Sequence, residues 1–178
     1  MRKVLSGLFM SLDGVTEAPN EWQFDSFDED LGAEMGAMIG DTDTILLGRV
    51  TYQEWADYWP TSTDEPFASF INNTPKYVAS TTLDSVDWQN STLIKGDLAA
   101  TIARLKAEPG KTITVTGSPT LVRSLLTQGL LDELLLMIHP VVAGKGKRLF
   151  AEGDLQRMEL VGHKVTSAGV AVLTYHPK

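Results

Sequence analysis

Residues 44–48, TILLG, are too few for an independent helix and too uniformly apolar for a strand with one wet face. Such a run reads as a strand buried on both sides, and a strand of that kind needs helices on both faces of its sheet. The flanking sequence supplies them. VLSGLFM (4–10) reads as a first strand that stops at the polar SLDG (11–14). In SFDEDLGAEMGAMIG (26–40), Leu31, Met35, Met38 and Ile39 recur at helical spacing, with acids at the start, where the helix dipole favours them. RVTYQEW (49–55) begins a short helix, FASFINN (67–73) reads as another, KYVAS (76–80) reads as a strand, and STLIKG (91–96) supplies the strand that follows it directly.

Further on, Asp97 is placed to cap a helix whose Leu98, Ile102 and Leu105 share a face, and Glu108-Pro109-Gly110 stops it. KTITVT (111–116) is the next strand. It turns through Gly117, with Ser118 as a candidate N-cap and Pro119 at the first helical position of TLVRSLLTQG, which Gly129 ends. LLDELLLMIHPVVAG (130–144) is a long apolar strand region, and MELVGHKVTS pairs with VAVLTYHP across Ala168-Gly169 as a hairpin. Alternation followed by a hairpin predicts a three-layer α/β domain over residues 1–178. Its mixed sheet is mainly parallel, with helices on both sides and a C-terminal antiparallel hairpin.

With 43% hydrophobic residues in 178, the chain can fill a core without metals or disulfides. It has no cysteine, which removes thiolate zinc sites and cysteine nucleophiles and fits a reducing cytoplasm. No run approaches the roughly 20 apolar residues of a membrane helix, so a soluble protein is expected. Twenty-three acids against 15 bases give a formal charge of -8, which argues against nucleic acid and leaves room for a small anionic ligand held locally. His139, His163 and His176 show no metal-ligand spacing and are read as structural; no metal is expected.

Three strand ends look alike: TILLG runs into Arg49 and Thr51, KYVAS into Thr81 and Thr82, and TITVT into Gly117, Ser118 and Thr120. Each joins exposed backbone to hydroxyls or a guanidinium. A cation at a helix N-terminus opposes the dipole by about 0.3 to 1 kcal/mol unless an anion joins it. Arg49 therefore fits a phosphate, or else it is solvated or paired with an acid such as Glu54. Neither GxGxxG nor GxxxxGK[ST] is present, so any phosphate cradle is of another kind. Asp13 reads as a turn residue of Asp-Gly or as a pocket group, and Trp22 as core or pocket. Gly144-Lys145-Gly146-Lys147-Arg148 is a solvated turn or a source of positive potential.

SLDG (11–14), LGRVTYQEW (47–55), KYVAST (76–81) and the block GSPTLVRSLLTQGLLDELLLMIHPVVAGKGKRLF (117–150) together resemble the dihydrofolate-reductase-like reductases. The nearest resemblance is to the C-terminal reductase domain of the bifunctional deaminase-reductase of riboflavin biosynthesis. The resemblance implies an NADPH site. Gly48, Arg49 and Thr51 would hold phosphates, Ser80 and Thr81 would lie near the adenosine phosphate, and Gly117, Ser118, Pro119, Thr120 and Leu121 would line the pyrophosphate and nicotinamide ribose. It also places Asp13, Gly14 and Trp22 beside the nicotinamide as substrate residues, with Asp13 the candidate for organising protons. The implied activity is hydride transfer to a small heterocyclic or carbonyl-like substrate, in a cytoplasmic homodimer. Two departures stand out. WQFDSFDED (22–30) offers Asp25, Asp28, Glu29 and Asp30 without a clear match to the pterin-binding acid, which argues against folate reduction, and Thr116 stands where the riboflavin enzymes often carry an acid. The alternative is a non-catalytic nucleotide-binding or dimeric interaction protein on the same fold, with LLLMIHPVV as a dimer-forming strand.

Overall fold

The computed structural model describes residues 1–150, 153 and 155–178. Its strands are β1 (Val4–Ser11), β2 (Thr42–Gly48), β3 (Lys76–Ala79), β4 (Ser91–Ile94), β5 (Thr112–Val115), β6 (Glu133–His139), β7 (Met158–Val165) and β8 (Ala171–Pro177). Its helices are α1 (Glu29–Gly40), α2 (Arg49–Tyr58), α3 (Phe67–Asn73), α4 (Leu98–Ala107) and α5 (Pro119–Thr127). The strands form one sheet in the order β4-β3-β2-β5-β1-β6-β8-β7. Neighbours from β4 to β6 are parallel; β8 is antiparallel to both β6 and β7. The expected mixed, mainly parallel sheet with its terminal hairpin is what the chain forms.

Because side chains alternate across a strand, the apolar strands feed two opposite layers. Leu46, Ile113, Val115, Leu8 and Leu136 face α4 and α5 through Ile102, Leu105, Val122 and Leu125. Ile45, Leu47 and Val78 point the other way, onto Tyr52 of α2 and Ile71 of α3. Phe9, Leu135 and Met137 share that second face and meet Leu31 and Met35 of α1. TILLG is thus buried on both sides, as its composition requires.

The expected cap at Asp97 forms, the one expected at Ser118 does not, and Asp28 supplies a cap to α1 that was not among the expectations. Asp28 accepts from Leu31 N at 2.9 Å, and Asp97 accepts from Ala99 N at 2.8 Å and Ala100 N at 3.3 Å. Ser118 occupies the N-cap position of α5, but its side chain makes no capping bond. It lies instead against Gly48, where a built Cβ would sit 2.7 Å from Ser118 Oγ. LLLMIHPVV also departs from one reading. β6 is paired with β1 on one side and β8 on the other, so it has no free edge with which to form a dimer; the sheet's edges are β4 and β7.

Candidate functional site

The connections fix where a ligand can enter. β1 leads into α1 and β2 into α2 on one face, whereas β5, which lies between those strands, leads into α5 on the opposite face. The chain therefore parts at the C-terminal end of β5, and such switch points leave a crevice in open α/β sheets. Along this margin the order β3-β2-β5-β1 sets Ser80 and Thr81, then Gly48, Arg49 and Thr51, then Gly117 to Leu121, then Asp13 and Gly14 side by side. β1 runs on through Gly7–Ser11 beyond its last pairing with β5, at Ser6↔Val115, and walls the crevice on the β6 side.

The two central turns interlock. Gly48 N donates to Gly117 O at 2.8 Å. A Cβ on Gly48 would meet Ser118 Oγ at 2.7 Å and Ser118 N at 3.0 Å, and one on Gly117, whose φ is +139°, would meet Thr51 Oγ1 at 2.7 Å. The Gly117–Ser118 peptide is cis. α2 and α5 both begin here without a side-chain cap and without an acid in the first turn. The first amides of a helix lack intrahelical partners, so two uncapped N-termini bring unpaired N–H groups and partial positive charge to one crevice. That arrangement suits a phosphate.

Arg49 is exposed and donates from Nη1 to Gln53 Oε1 at 2.9 Å. The partner is neutral and is not Glu54, because positions four apart share a helix face and positions five apart do not. Ser80 Oγ accepts from Thr82 N at 3.1 Å and Leu83 N at 3.0 Å, which shapes the strand end and leaves Thr81 exposed. Thr120 Oγ1 accepts from Arg123 Nη2 at 3.4 Å, and Leu121 is buried in the core beneath the turn. Gln53 also lines an open groove of about 510 Å³ with Tyr52, Asp57, Leu83 and Asp87. Its two acids make that groove a poor phosphate site.

On the far side, Asp13 is committed to the chain itself. Its carboxylate accepts from Ser11 Oγ at 2.6 Å, Ala143 N at 2.9 Å and Gly144 N at 2.9 Å, and Arg148 Nε donates to its carbonyl at 2.8 Å. The Ser11 hydroxyl, then the two loop amides, hold its carboxyl down at about 2. It is ionised at neutral pH and has no proton to give. Gly14, at φ +83°, donates to Ser11 O at 3.0 Å and completes the turn. Asp13→Asn should raise the hydrogen-exchange rates of the Ala143 and Gly144 amides, because an amide cannot accept both N–H groups and the hydroxyl as a carboxylate does. Unchanged rates would show that the 141–148 loop is held by something else.

Two of the four acids named near α1, Asp28 and Asp30, are spent as well, while Asp25 and Glu29 are exposed. Asp28 accepts from Ala168 N at 2.6 Å in addition to its cap, and Asp30 accepts from Ser167 N at 2.8 Å and Ser167 Oγ at 2.7 Å. These bonds, led by Leu31 N for Asp28 and the Ser167 hydroxyl for Asp30, lower both carboxyls below the usual range. They dock the β7–β8 turn on α1. Trp22 donates from Nε1 to Glu17 O at 3.3 Å, and its ring meets the edge of His139 at 5.6 Å. His139 is a residue the sequence reading set aside. It ends β6 opposite Ser11, is fully buried, and bonds Ser26 Oγ through Nδ1 at 2.7 Å.

Residues 2–172 match the RibD C-terminal domain. The chain belongs to that family. Among curated relatives, the uncharacterized protein YyaP of Bacillus subtilis (strain 168) is 32% identical over 181 residues, covering 98% of this chain and 95% of YyaP. A solved Shewanella sp. PV-4 protein, described as a riboflavin biosynthesis protein, superposes with a TM-score of 0.81 at 22% identity, covering 100% of this chain and 99% of that one. Dihydrofolate reductase from Enterococcus faecalis, solved with NADP(H) and RAB-propyl, gives a TM-score of 0.65 at 13% identity, covering 99% of this chain and 96% of its own. This RibD C-terminal domain thus has the dihydrofolate-reductase-like fold. Among the described residues, no helix is long and apolar enough to cross a membrane, and no cluster of three or more His, Cys, Asp or Glu could hold a metal ion.

Proposed function

We propose that this RibD C-terminal domain is an NADPH-dependent reductase of the riboflavin-biosynthesis type, acting on a small heterocyclic or carbonyl-like substrate. The observation that carries the reading is the interlocked pair of glycine turns. Gly48 and Gly117 let the two turns close on Ser118 and Thr51, which gathers the uncapped N-termini of α2 and α5 at one crevice that suits a pyrophosphate. Arg49, which pairs with no acid among the described residues, follows β2 beside the strand end that carries Ser80 and Thr81, where it can take a further phosphate. The nicotinamide, when bound, supplies the hydride. The chain's own part is to hold the acceptor carbon against it and to exclude bulk water. With Asp13 ionised and hydrogen-bonded, the proton that completes reduction comes from water rather than from that carboxyl. Asp28 and Asp30, engaged by the β7–β8 turn, favour this reading over folate reduction.

We further infer a cytoplasmic homodimer, whose interface does not add a strand to β6, since both edges of β6 are paired. Titration of NADPH against its own fluorescence and the melting temperature tests the function. A ligand at 100 times its Kd adds about 2.7 kcal/mol of stability. No response to NADPH, NADH or flavin would leave the non-catalytic interaction protein as the better reading. Arg49→Ala should weaken NADPH on the order of tenfold and NADH much less, since a charge-assisted contact to the 2′-phosphate exists only with NADPH. Equal losses would place the guanidinium on the pyrophosphate.

A further inference from the structure

Between residues 50 and 94 the chain carries six acids and one base, Lys76, so five of its eight net negative charges fall on this one stretch. Three of the four tryptophans lie there as well, which supplies flat apolar surface among the acids. The fold gathers part of the stretch around the open groove of about 510 Å³ beside α2. Its walls include Tyr52, Asp57 and Pro60 on one side and Leu83, Asp87 and Trp88, from the connection between β3 and β4, on the other. Pro60, Asp87 and Trp88 also line a second groove of about 360 Å³, which Asn72 and Gln89 complete. The two lobes form one trough that joins at Asp87.

Most polar groups around the trough are committed to the chain. Tyr52 Oη accepts from Asp87 N at 3.0 Å and Trp88 N at 3.2 Å, which ties α2 to the β3–β4 connection. Trp88 Nε1 donates to Asn72 Oδ1 at 3.0 Å, Asn72 Nδ2 donates to Trp59 O at 2.8 Å and Ala68 O at 2.9 Å, and Gln89 Nε2 donates to Asn72 O at 3.2 Å. Those donors are not on offer to an anion. Lys76 is buried against the Trp88 ring, with Nζ on three backbone carbonyls. The carboxylates of Asp57 and Asp87 are exposed, and neither enters an ion pair among the described residues. Arg49 lies one turn before Gln53 on the same stripe of α2 and bonds it, so the trough is positive at the phosphate turn and negative at Asp57 and Asp87.

We propose that this trough binds an elongated organic cation of the linear polyamine class, its ammonium groups on Asp57 and Asp87 and its methylene stretches on Pro60, Leu83 and Trp88. Charge complementarity selects the sign of the ligand. The apolar walls between the acids favour a hydrocarbon body over a hydrated metal ion, because only the former gains from leaving water there. Two lobes meeting at one acid fit a chain better than a compact ring. The site stands apart from the reductase reading: neither acid belongs to the glycine turns.

Spermidine is the probe, titrated calorimetrically into the full chain at about 0.15 M salt, where diffuse attraction to a negative surface is largely screened. Saturable binding of one molecule per chain is expected, with the indole N–H resonance of Trp88 shifting and that of Trp22 unmoved. Exposed carboxylates contribute modestly, so Asp57→Asn and Asp87→Asn should each weaken spermidine about two- to fivefold, and the pair together roughly tenfold. Ser85→Arg, at an exposed position of the first groove, sets a guanidinium among the same acids and should abolish binding. Glu159→Gln, on exposed β7, removes an equal charge elsewhere and should leave the affinity at the parent value. Mg2+ at equal charge should not displace spermidine. No saturable binding, or binding that persists in Ser85→Arg, overturns the proposal. An equal loss in Glu159→Gln, or displacement by Mg2+, overturns it too, because either would reduce the trough to a diffuse acidic surface. NADPH takes no part in these titrations, so their failure leaves the reductase reading standing.

Discussion

Gly117→Ala is expected to lower folding stability by about 2 to 6 kcal/mol, from two separable causes. A side chain at φ +139° strains the backbone by about 1 to 3 kcal/mol, and a Cβ 2.7 Å from Thr51 Oγ1 forces a repacking worth about as much. Thr51→Ala in the same chain removes the hydroxyl and should recover the second part only. Gly48→Ala provides the contrast. Gly48 sits at φ -79°, which any residue adopts, so its cost is the contact with Ser118 alone. Ser118→Ala should relieve that cost incompletely, because the backbone nitrogen of Ser118 stays 3.0 Å away. Urea unfolding of the four variants measures the partition. If the turns are the pyrophosphate cradle, NADPH affinity should fall in every chain carrying an added methyl, including those whose stability is restored. Restored stability with parental NADPH affinity would mean that the turns matter for packing and not for the cofactor.

What the sequence disclosed and what it hid divide by range. Strand and helix identity came through because it is written in local periodicity: TILLG could be little else, and Asp97 caps as local chemistry predicts. Ser118 looked like the same kind of cap and is not, because Gly48, 70 positions earlier, claims the space beside it. Asp13 was open between a turn and a pocket. Its amide partners, Ala143 and Gly144, lie 130 and 131 residues on, and no short-range pattern points to them. Asp28 and Asp30, weighed as pocket acids, bind a hairpin turn about 140 residues away. His139 was dismissed as isolated, which it is along the chain. The available signal was its position as the last polar residue of an apolar strand, before Pro140, and only the register Ser11↔His139 brings it to the margin with Trp22 and Ser26.

Lys76 opens β3 with its side chain fully buried, and among the described residues no carboxylate answers its charge. Nζ donates instead to Ile71 O at 2.8 Å, Thr74 O at 2.9 Å and Asn72 O at 3.2 Å, and lies 4.4 Å from the centre of the Trp88 ring. These are carbonyls at the C-terminal end of α3, where the dipole favours a cation, so the lysine caps the helix from inside the sheet. Burial pulls its pKa down to about 8, from 10.5 for the free side chain. The sign follows from proton counting. Between those two values the unfolded chain binds the proton and the folded chain does not, so stability rises with pH through that window. The rise is at most about 3 kcal/mol, because the carbonyls and the ring face favour the charged form. Lys76→Met keeps the stem but leaves three carbonyls without their donor, at a cost of about 1 to 3 kcal/mol near pH 7. It should also abolish the alkaline rise. Urea midpoints collected from pH 7 to pH 10.5 on both chains decide it: a rise shared by the Met variant would belong to other groups, and no loss in that variant at pH 7 would mean that the cap adds nothing to the fold.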